Sequence, residues 1–174
     1  AVQPYFGSSV YVWTNVIAVV LGALAVGYVI GGRLADRRPS PRLLFGLLGA
    51  GGVLAALGAL LVTPVSRLFL GEGLDLEGVV SVLLRGSLGT ALVVFAPPIL
   101  LLGTIGPLAI RLLAHRGLGR AAGAVFALST VGSIVGTYLP TLWLVPHLGS
   151  RGSILVAGSI LLAASAGGLL VFGR

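Results

Sequence analysis

Long apolar stretches alternate with short polar segments along this chain. Five stretches, at residues 10–30, 43–62, 86–110, 121–144 and 153–172, contain no charged residue. About 20 residues in a helix cross a hydrocarbon core of roughly 30 Å, and in lipid a helix satisfies every backbone hydrogen bond internally. The pattern therefore predicts an all-α, polytopic transmembrane helix bundle of five spans, in a single membrane domain that covers residues 1–174.

The composition supports a lipid environment. Hydrophobic residues make up 57% of the chain and charged residues 9%, whereas about a quarter of the residues of a soluble domain are charged. The net charge of +7 comes from arginines at the ends of the apolar stretches. We therefore expect membrane lipids as the surroundings of this chain and no nucleic-acid partner.

The arginines also predict an orientation. Segments 33–42 and 111–120 hold seven arginines, whereas the alternate connections hold only Arg67, Arg85 and Arg151. Because basic loops stay in the cytoplasm, the N-terminus is expected outside and the C-terminus inside. No signal peptide precedes the first span, so we expect that one helix ahead of it is missing.

The connection at residues 64–85 is the longest one. It holds three of the four acidic residues, Glu72, Asp75 and Glu77, followed by apolar residues. This pattern predicts a short interfacial helix over residues 74–84, ahead of the third span.

Small residues at four-residue spacing predict the helix faces that pack closely. Such stripes let two helix backbones approach each other. We expect them to serve packing within the bundle, with a dimer contact as the alternative. The stripes are Ala23, Gly27 and Gly31 in the first span, Gly132 and Gly136 in the fourth, and Ser159, Ala163 and Gly167 in the fifth.

Candidate ligand-lining residues are few. Pro97 and Pro98 interrupt the third span, with Thr104 beyond them. Broken helices often line transporter sites, and the alternative is a static kink. The other polar candidates within the spans are Asn15, Thr130, Thr137 and Tyr138. His115 and His147 are expected at opposite membrane edges without a second ligand beside either, and the chain lacks cysteine, so we expect no metal site. We also expect no cofactor and no catalytic residue.

The run Gly32-Arg33-Leu34-Ala35-Asp36-Arg37 resembles the loop between the second and third helices of major facilitator transporters. The resemblance implies a bundle like half of such a transporter. It also implies that Asp36 pairs with arginine, for which Arg33 and Arg37 are candidates, as a latch that steadies one conformation. A solvated charge pair contributing less than about 1 kcal/mol is the alternative.

A second resemblance covers most of the chain. It rests on residues 5–14 (YFGSSVYVWT), 119–123 (GRAAG), 127–137 (ALSTVGSIVGT) and 144–151 (LVPHLGSR). These segments are similar to the membrane region of bacterial spermidine synthase-like proteins. That family implies six or more helices in the bacterial inner membrane, fused ahead of a cytoplasmic aminopropyltransferase-like domain.

Three functions remain open at this stage. The chain is a non-catalytic membrane anchor or scaffold of a spermidine synthase-like protein, a transporter-like bundle for a small solute, or a structural subunit of a larger membrane complex. The partners that these functions imply are other membrane subunits, a second copy of the chain, or an aminopropyltransferase-like domain. This chain alone is expected to lack aminopropyltransferase activity, because its few acids lie outside any nucleotide-binding pattern.

Overall fold

A computed structural model describes residues 10–70 and 79–172. Within these ranges the chain is helical and contains no strand, so the predicted all-α class is confirmed. The elements are α1 (Val10–Arg37), α2 (Pro41–Leu70), α3 (Val79–Val94), α4 (Ala96–Gly103), α5 (Ile105–Leu113), a 3₁₀ turn (Ala114–Arg116), α6 (Leu118–Leu139), a π-helical segment (Pro140–Leu144) and α7 (Val145–Phe172).

Four helical stretches are long and apolar enough to cross a membrane. They are Val12–Arg37, Pro41–Leu68, Ala96–Leu113 and Leu118–Phe172. The last stretch holds two of the five predicted spans, joined through Gly149, where the backbone leaves helical geometry at φ 69° and ψ 173°. The chain is thus a helical membrane protein, as its hydrophobic pattern predicts.

The first two helices are longer than predicted. The sequence predicts an end at Gly31 and Gly32, but α1 continues to Arg37; likewise α2 passes through Pro64 and ends at Leu70. Gly31 does not end the helix because its missing side chain serves a tertiary contact with Thr104. Within a bundle, one proline in a helix is tolerated when neighbouring groups compensate for the lost hydrogen bond.

The third span consists of three helices in succession. Helix breaks at Phe95 and Thr104 separate α3, α4 and α5. Each break is followed by proline within the first turn of the next helix, where no intrahelical N–H bond is lost. Residues 79–84 of the predicted interfacial helix belong to α3, whereas residues 71–78, with Glu72, Asp75 and Glu77, lie outside the described residues.

Helix α1 packs tightly against α4. A Cβ atom added at Gly27 would lie 2.5 Å from the carbonyl oxygen of Leu100, and one added at Gly31 would lie 2.6 Å from the Cα of Thr104. Both contacts are with backbone atoms, so a side chain could enter only if a helix moved. Nearer the start of both segments, Asn15 contacts Ser87. Because the earlier residue of α1 pairs with the earlier residue of the third span, α1 and the third span run in the same direction.

Helices α2 and α7 form the most extensive helix pair. Gly52 faces Gly158, with an added Cβ on either one 3.1 Å from the carbonyl oxygen of the other. The Ser165 hydroxyl donates a hydrogen bond of 2.7 Å to the Phe45 carbonyl oxygen, and the rings of Phe45 and Phe172 stack at 5.9 Å. These contacts pair the start of α2 with the end of α7, so the two helices are antiparallel.

The face of α7 that meets α2 differs from the predicted stripe. Buried Gly158, Ser165 and Gly168 point towards α2, whereas Ser159, Ala163 and Gly167 are exposed. Both sets contain small residues at helical spacing. The partner helix, rather than the spacing alone, decides which of them is buried.

Helix α6 extends away from the rest of the bundle. From residue 126 to residue 139 every residue is exposed, including Gly132 and Gly136, and nothing lies within 4 Å of a Cβ built on either glycine. Only the N-terminal part of α6, near Ala121 and Val125, lies against α5. The stripe on α6 therefore makes no contact within the described part of this chain, and its packing role stays a prediction.

Candidate binding cavity

A cavity of about 740 Å³ lies between the α4–α5 segment and its neighbours α1, α2 and α6. Its volume falls within the roughly 300–1,000 Å³ typical of small-molecule pockets. Two consecutive helices supply most of the wall: α5 contributes residues from Ile105 to Leu113, and α6 contributes Val125, Phe126, Leu128 and Ser129. The cavity exists because α6 follows α5 after a short 3₁₀ turn and then diverges from the bundle.

The wall of the cavity is almost entirely apolar. Among the lining residues only Tyr28 and Ser129 carry a polar side-chain group. Gly106 leaves the space open, because nothing lies within 4 Å of a Cβ built there, whereas a Cβ on Gly103 would meet the backbone of α1. Lipid tails are as apolar as leucine side chains, so such a wall is suited to contact with hydrocarbon.

One end of the cavity is near the level of three arginines along the helix axes, although these arginines lie on other helix faces than the lining residues. Tyr28 is five residues before Arg33 on α1, a rise of about 7.5 Å along the helix, and Val125 is five residues after Arg120 on α6. Arg111 stands on α5 between the lining residues Ile110 and Leu113. All three arginines are exposed.

Neither the two prolines nor Thr104 lines the cavity. Pro98 is buried and Pro97 is exposed. Thr104 is 1% exposed, and its hydroxyl donates a hydrogen bond of 2.6 Å to the Leu101 carbonyl oxygen. The hydroxyl thus satisfies a carbonyl at the break between α4 and α5, while the flanking Gly103 and Ile105 face the cavity.

Asn15 lies towards the other end of the bundle and does not line the cavity. Its amide donates to the Ser87 hydroxyl oxygen at 2.9 Å. Ser66 and Thr90 are also fully buried, and within the described part of the chain their hydroxyl oxygens have no hydrogen-bond partner. Four polar side chains from α1, α2 and α3 therefore occur in this half of the bundle.

Thr130, Thr137 and Tyr138 lie on the exposed part of α6. The two threonine hydroxyls donate to carbonyl oxygens one turn earlier, at Phe126 and Ser133, over 2.9 Å and 2.7 Å. The seven candidate ligand-lining residues are thus distributed over three regions, and none of them lines the cavity.

Asp36, Arg33 and Arg37 occupy the last turns of α1 and are all exposed. Arg33 and Asp36 are three residues apart, a spacing that places two side chains on one helix face. The latch role of these three residues stays a prediction.

The two histidines are distant from each other along the fold. His115 Nδ1 lies 3.2 Å from the Leu112 carbonyl oxygen, and His147 Nδ1 lies 2.7 Å from that of Trp143, whose ring it also contacts at 5.2 Å. Each ring is thus held by the helix turn that precedes it.

Sequence reasoning missed the residues that do line the cavity. Tyr28, Phe126 and Ser129 lie in apolar spans at positions that resemble any lipid-facing or core position. One feature of the sequence pointed to this region, namely the short connection between the third and fourth spans, which makes those spans neighbours. The short connection predicts that the two helices are adjacent, but it does not predict that they diverge.

Comparisons with protein-family models, curated proteins and solved structures found no match to this chain.

Proposed function

We propose that this chain is the helical membrane domain of a spermidine synthase-like protein, in which it serves as an anchor and scaffold and is not catalytic itself. The observation that carries the proposal is the backbone-to-backbone packing of its helices, at Gly27 against Leu100 and at Gly52 against Gly158. Such contacts hold helices together in lipid, which suits a support for another domain. The family assignment rests on the sequence resemblance.

The proposal includes a location and an orientation. Segments 33–42 and 111–120, with their seven arginines, face the cytoplasm of a bacterial cell, and the N-terminus lies outside. The C-terminus then lies on the side where a cytoplasmic aminopropyltransferase-like domain would stand.

Capture from native membranes tests the proposal. The chain, isolated with its attached or associated partners in mild detergent, is incubated with decarboxylated S-adenosylmethionine and putrescine, and spermidine is measured. We expect product from material of the native cells and none from residues 1–174 expressed alone. No product from the native material would refute the anchor function, and turnover by the isolated chain would refute its non-catalytic character.

A transporter-like bundle for a small solute is the second candidate, and the cavity beside α5 and α6 is the observation that favours it. Uptake into proteoliposomes that is lost on filling the cavity would support this candidate. A structural subunit is the third candidate, favoured by the exposed apolar face of α6. Copurification of a stoichiometric membrane partner would support it.

A further inference from the structure

Two glycines bound a long helical arm, residues 118–148, which contains α6, the π-helical segment and the first residues of α7. Gly117 has a φ of 99° and Gly149 a φ of 69°, and within the described ranges no other residue has a positive φ. Glycine adopts such backbone angles without steric cost, and hinges consist of a few residues that absorb a change in backbone angle. The arm therefore has a candidate hinge at each end.

Packing against α5 holds the arm at its start. Ala121 is 3% exposed and Val125 is half-buried. Every residue from 126 to 139 is exposed, so the middle of the arm is not packed against the described part of the chain. Elements with few buried contacts are those that move most readily.

One face of the arm continues the contact that Ala121 makes with α5. Positions three or four residues apart share a helix face, so Ala121, Val125, Ser129, Gly132 and Gly136 form a single row. Val125 and Ser129 line the cavity, and nothing lies within 4 Å of a Cβ built on Gly132 or Gly136. The row therefore starts in contact with α5, passes the cavity and ends without a neighbour in the described part of the chain.

Helix α5 presents a matching row across the cavity. Gly106, Ile110 and Leu113 are spaced by four and three residues and line the cavity. Nothing lies within 4 Å of a Cβ at Gly106. Where helices of this bundle meet closely, small residues lie at the contact, as Gly52 does against Gly158. Gly106 and the row on α6 have the residue types of such a contact, and the cavity lies between them.

We propose that the arm is a gate to the cavity. It swings at Gly117 and Gly149 between the open position seen in this structure and a closed position on α5. In the closed position Ser129 and Gly132 lie against Gly106, and close backbone contact replaces most of the cavity. Closure extends the contact that α5 and α6 already make. The proposal does not depend on whether the chain anchors a catalytic domain.

Disulfide trapping in liposomes measures the closure. The chain lacks native cysteine. A disulfide requires its two Cβ atoms about 3.8 Å apart, which is closer than any atom of α6 lies to a Cβ at Gly106 in the open position. The test pair is Gly106→Cys with Ser129→Cys. The control pair is Gly106→Cys with Ala127→Cys, because Ala127 is exposed two residues away, on nearly the opposite face of α6, and does not line the cavity.

We expect the test pair to form a disulfide within one chain at least about tenfold faster than the control pair, which corresponds to about 1.4 kcal/mol. Equal rates for the two pairs, or no disulfide in either, would overturn the proposal. A disulfide between two chains would also overturn it, and would assign this face of α6 to a second copy.

A larger side chain on the closing face tests the gate independently. Gly132→Leu, added to the test pair, should slow disulfide formation at least about tenfold, because leucine keeps the two backbones apart. Ala127→Leu, the control, should leave the rate unchanged. Equal effects of the two substitutions would show that α6 has no preferred closing face and would overturn the proposal. If Gly132→Leu does not fold, the comparison of the two cysteine pairs still decides the proposal.

Discussion

The Asn15 amide donates a hydrogen bond of 2.9 Å to the Ser87 hydroxyl oxygen, and so joins α1 to α3 across 72 residues of sequence. One side of this bond is fully buried, because Ser87 has no exposed surface. The bond fixes the register of α1 against the first part of the third span. In membrane proteins such interhelical bonds contribute on average about 0.6 kcal/mol.

Ser87→Ala should therefore lower the free energy of unfolding by about 0.5–1.5 kcal/mol, because Asn15 loses an acceptor. Thr90→Val should instead raise the free energy of unfolding. It removes a fully buried hydroxyl that has no partner among the described residues, at almost unchanged volume. Thermal unfolding in detergent compares the two variants. Destabilisation by Thr90→Val would mean that the hydroxyl binds a group such as a buried water.

Gly27→Ala should destabilise the protein by about 1–3 kcal/mol, the range for overpacking a close-packed core. The new methyl group would lie 2.5 Å from the backbone oxygen of Leu100, and that oxygen cannot move away without its helix. Gly22→Ala is the control on the same helix, because nothing lies within 4 Å of its Cβ position. Equal unfolding temperatures for the two variants would contradict the close packing of α1 and α4.

Gly149→Ala should destabilise the protein by about 1–3 kcal/mol, because residues with a side chain are strained at this backbone conformation. The φ of 69° and ψ of 173° separate the helical segments before and after this glycine. Gly167→Ala, on the exposed side of α7, serves as the control and should be neutral or slightly stabilising. A stable Gly149→Ala protein would show that the helix can continue through this position.

Single cysteines at Ser40 and Ser150 should be labelled from opposite sides of the membrane. Ser40 lies between α1 and α2, and Ser150 follows the break at Gly149. The antiparallel pairing of α2 with α7 places them at opposite ends of the bundle. The chain lacks native cysteine, so Ser40→Cys and Ser150→Cys need no further changes. We expect a membrane-impermeant reagent added outside the cells to label only the cysteine at position 150.

Asp36→Asn should lower the unfolding temperature if Asp36 is a latch, and Arg33→Gln should then have little further effect in the double variant. Asp36 is the only acidic residue in the described part of the chain. It is exposed, so the expected effect is at most about 1 kcal/mol. An unchanged unfolding temperature would assign Asp36 to the class of solvated surface charges.

The sequence alone determined the helical class and the membrane environment, because both follow from the length and polarity of consecutive residues. An apolar stretch such as residues 43–62 has no other stable form in lipid. The approximate places of the polar connections follow in the same way. The exact helix ends do not, because glycines such as Gly31 are used for contact with another helix instead of ending their own.

The tertiary structure decided which faces meet and where a cavity remains. Gly158 and Ser159 are adjacent small residues, yet only Gly158 is buried, because its partner Gly52 lies on that side. Likewise Tyr28 of α1 and Phe126 of α6 line the same cavity. They do so because α6 diverges from α5 and leaves a space between the helices. In an apolar span nearly every side chain is hydrophobic, so polarity does not distinguish a lipid-facing residue from a buried one. Close backbone contact makes that distinction, and it exists only when the helices are assembled.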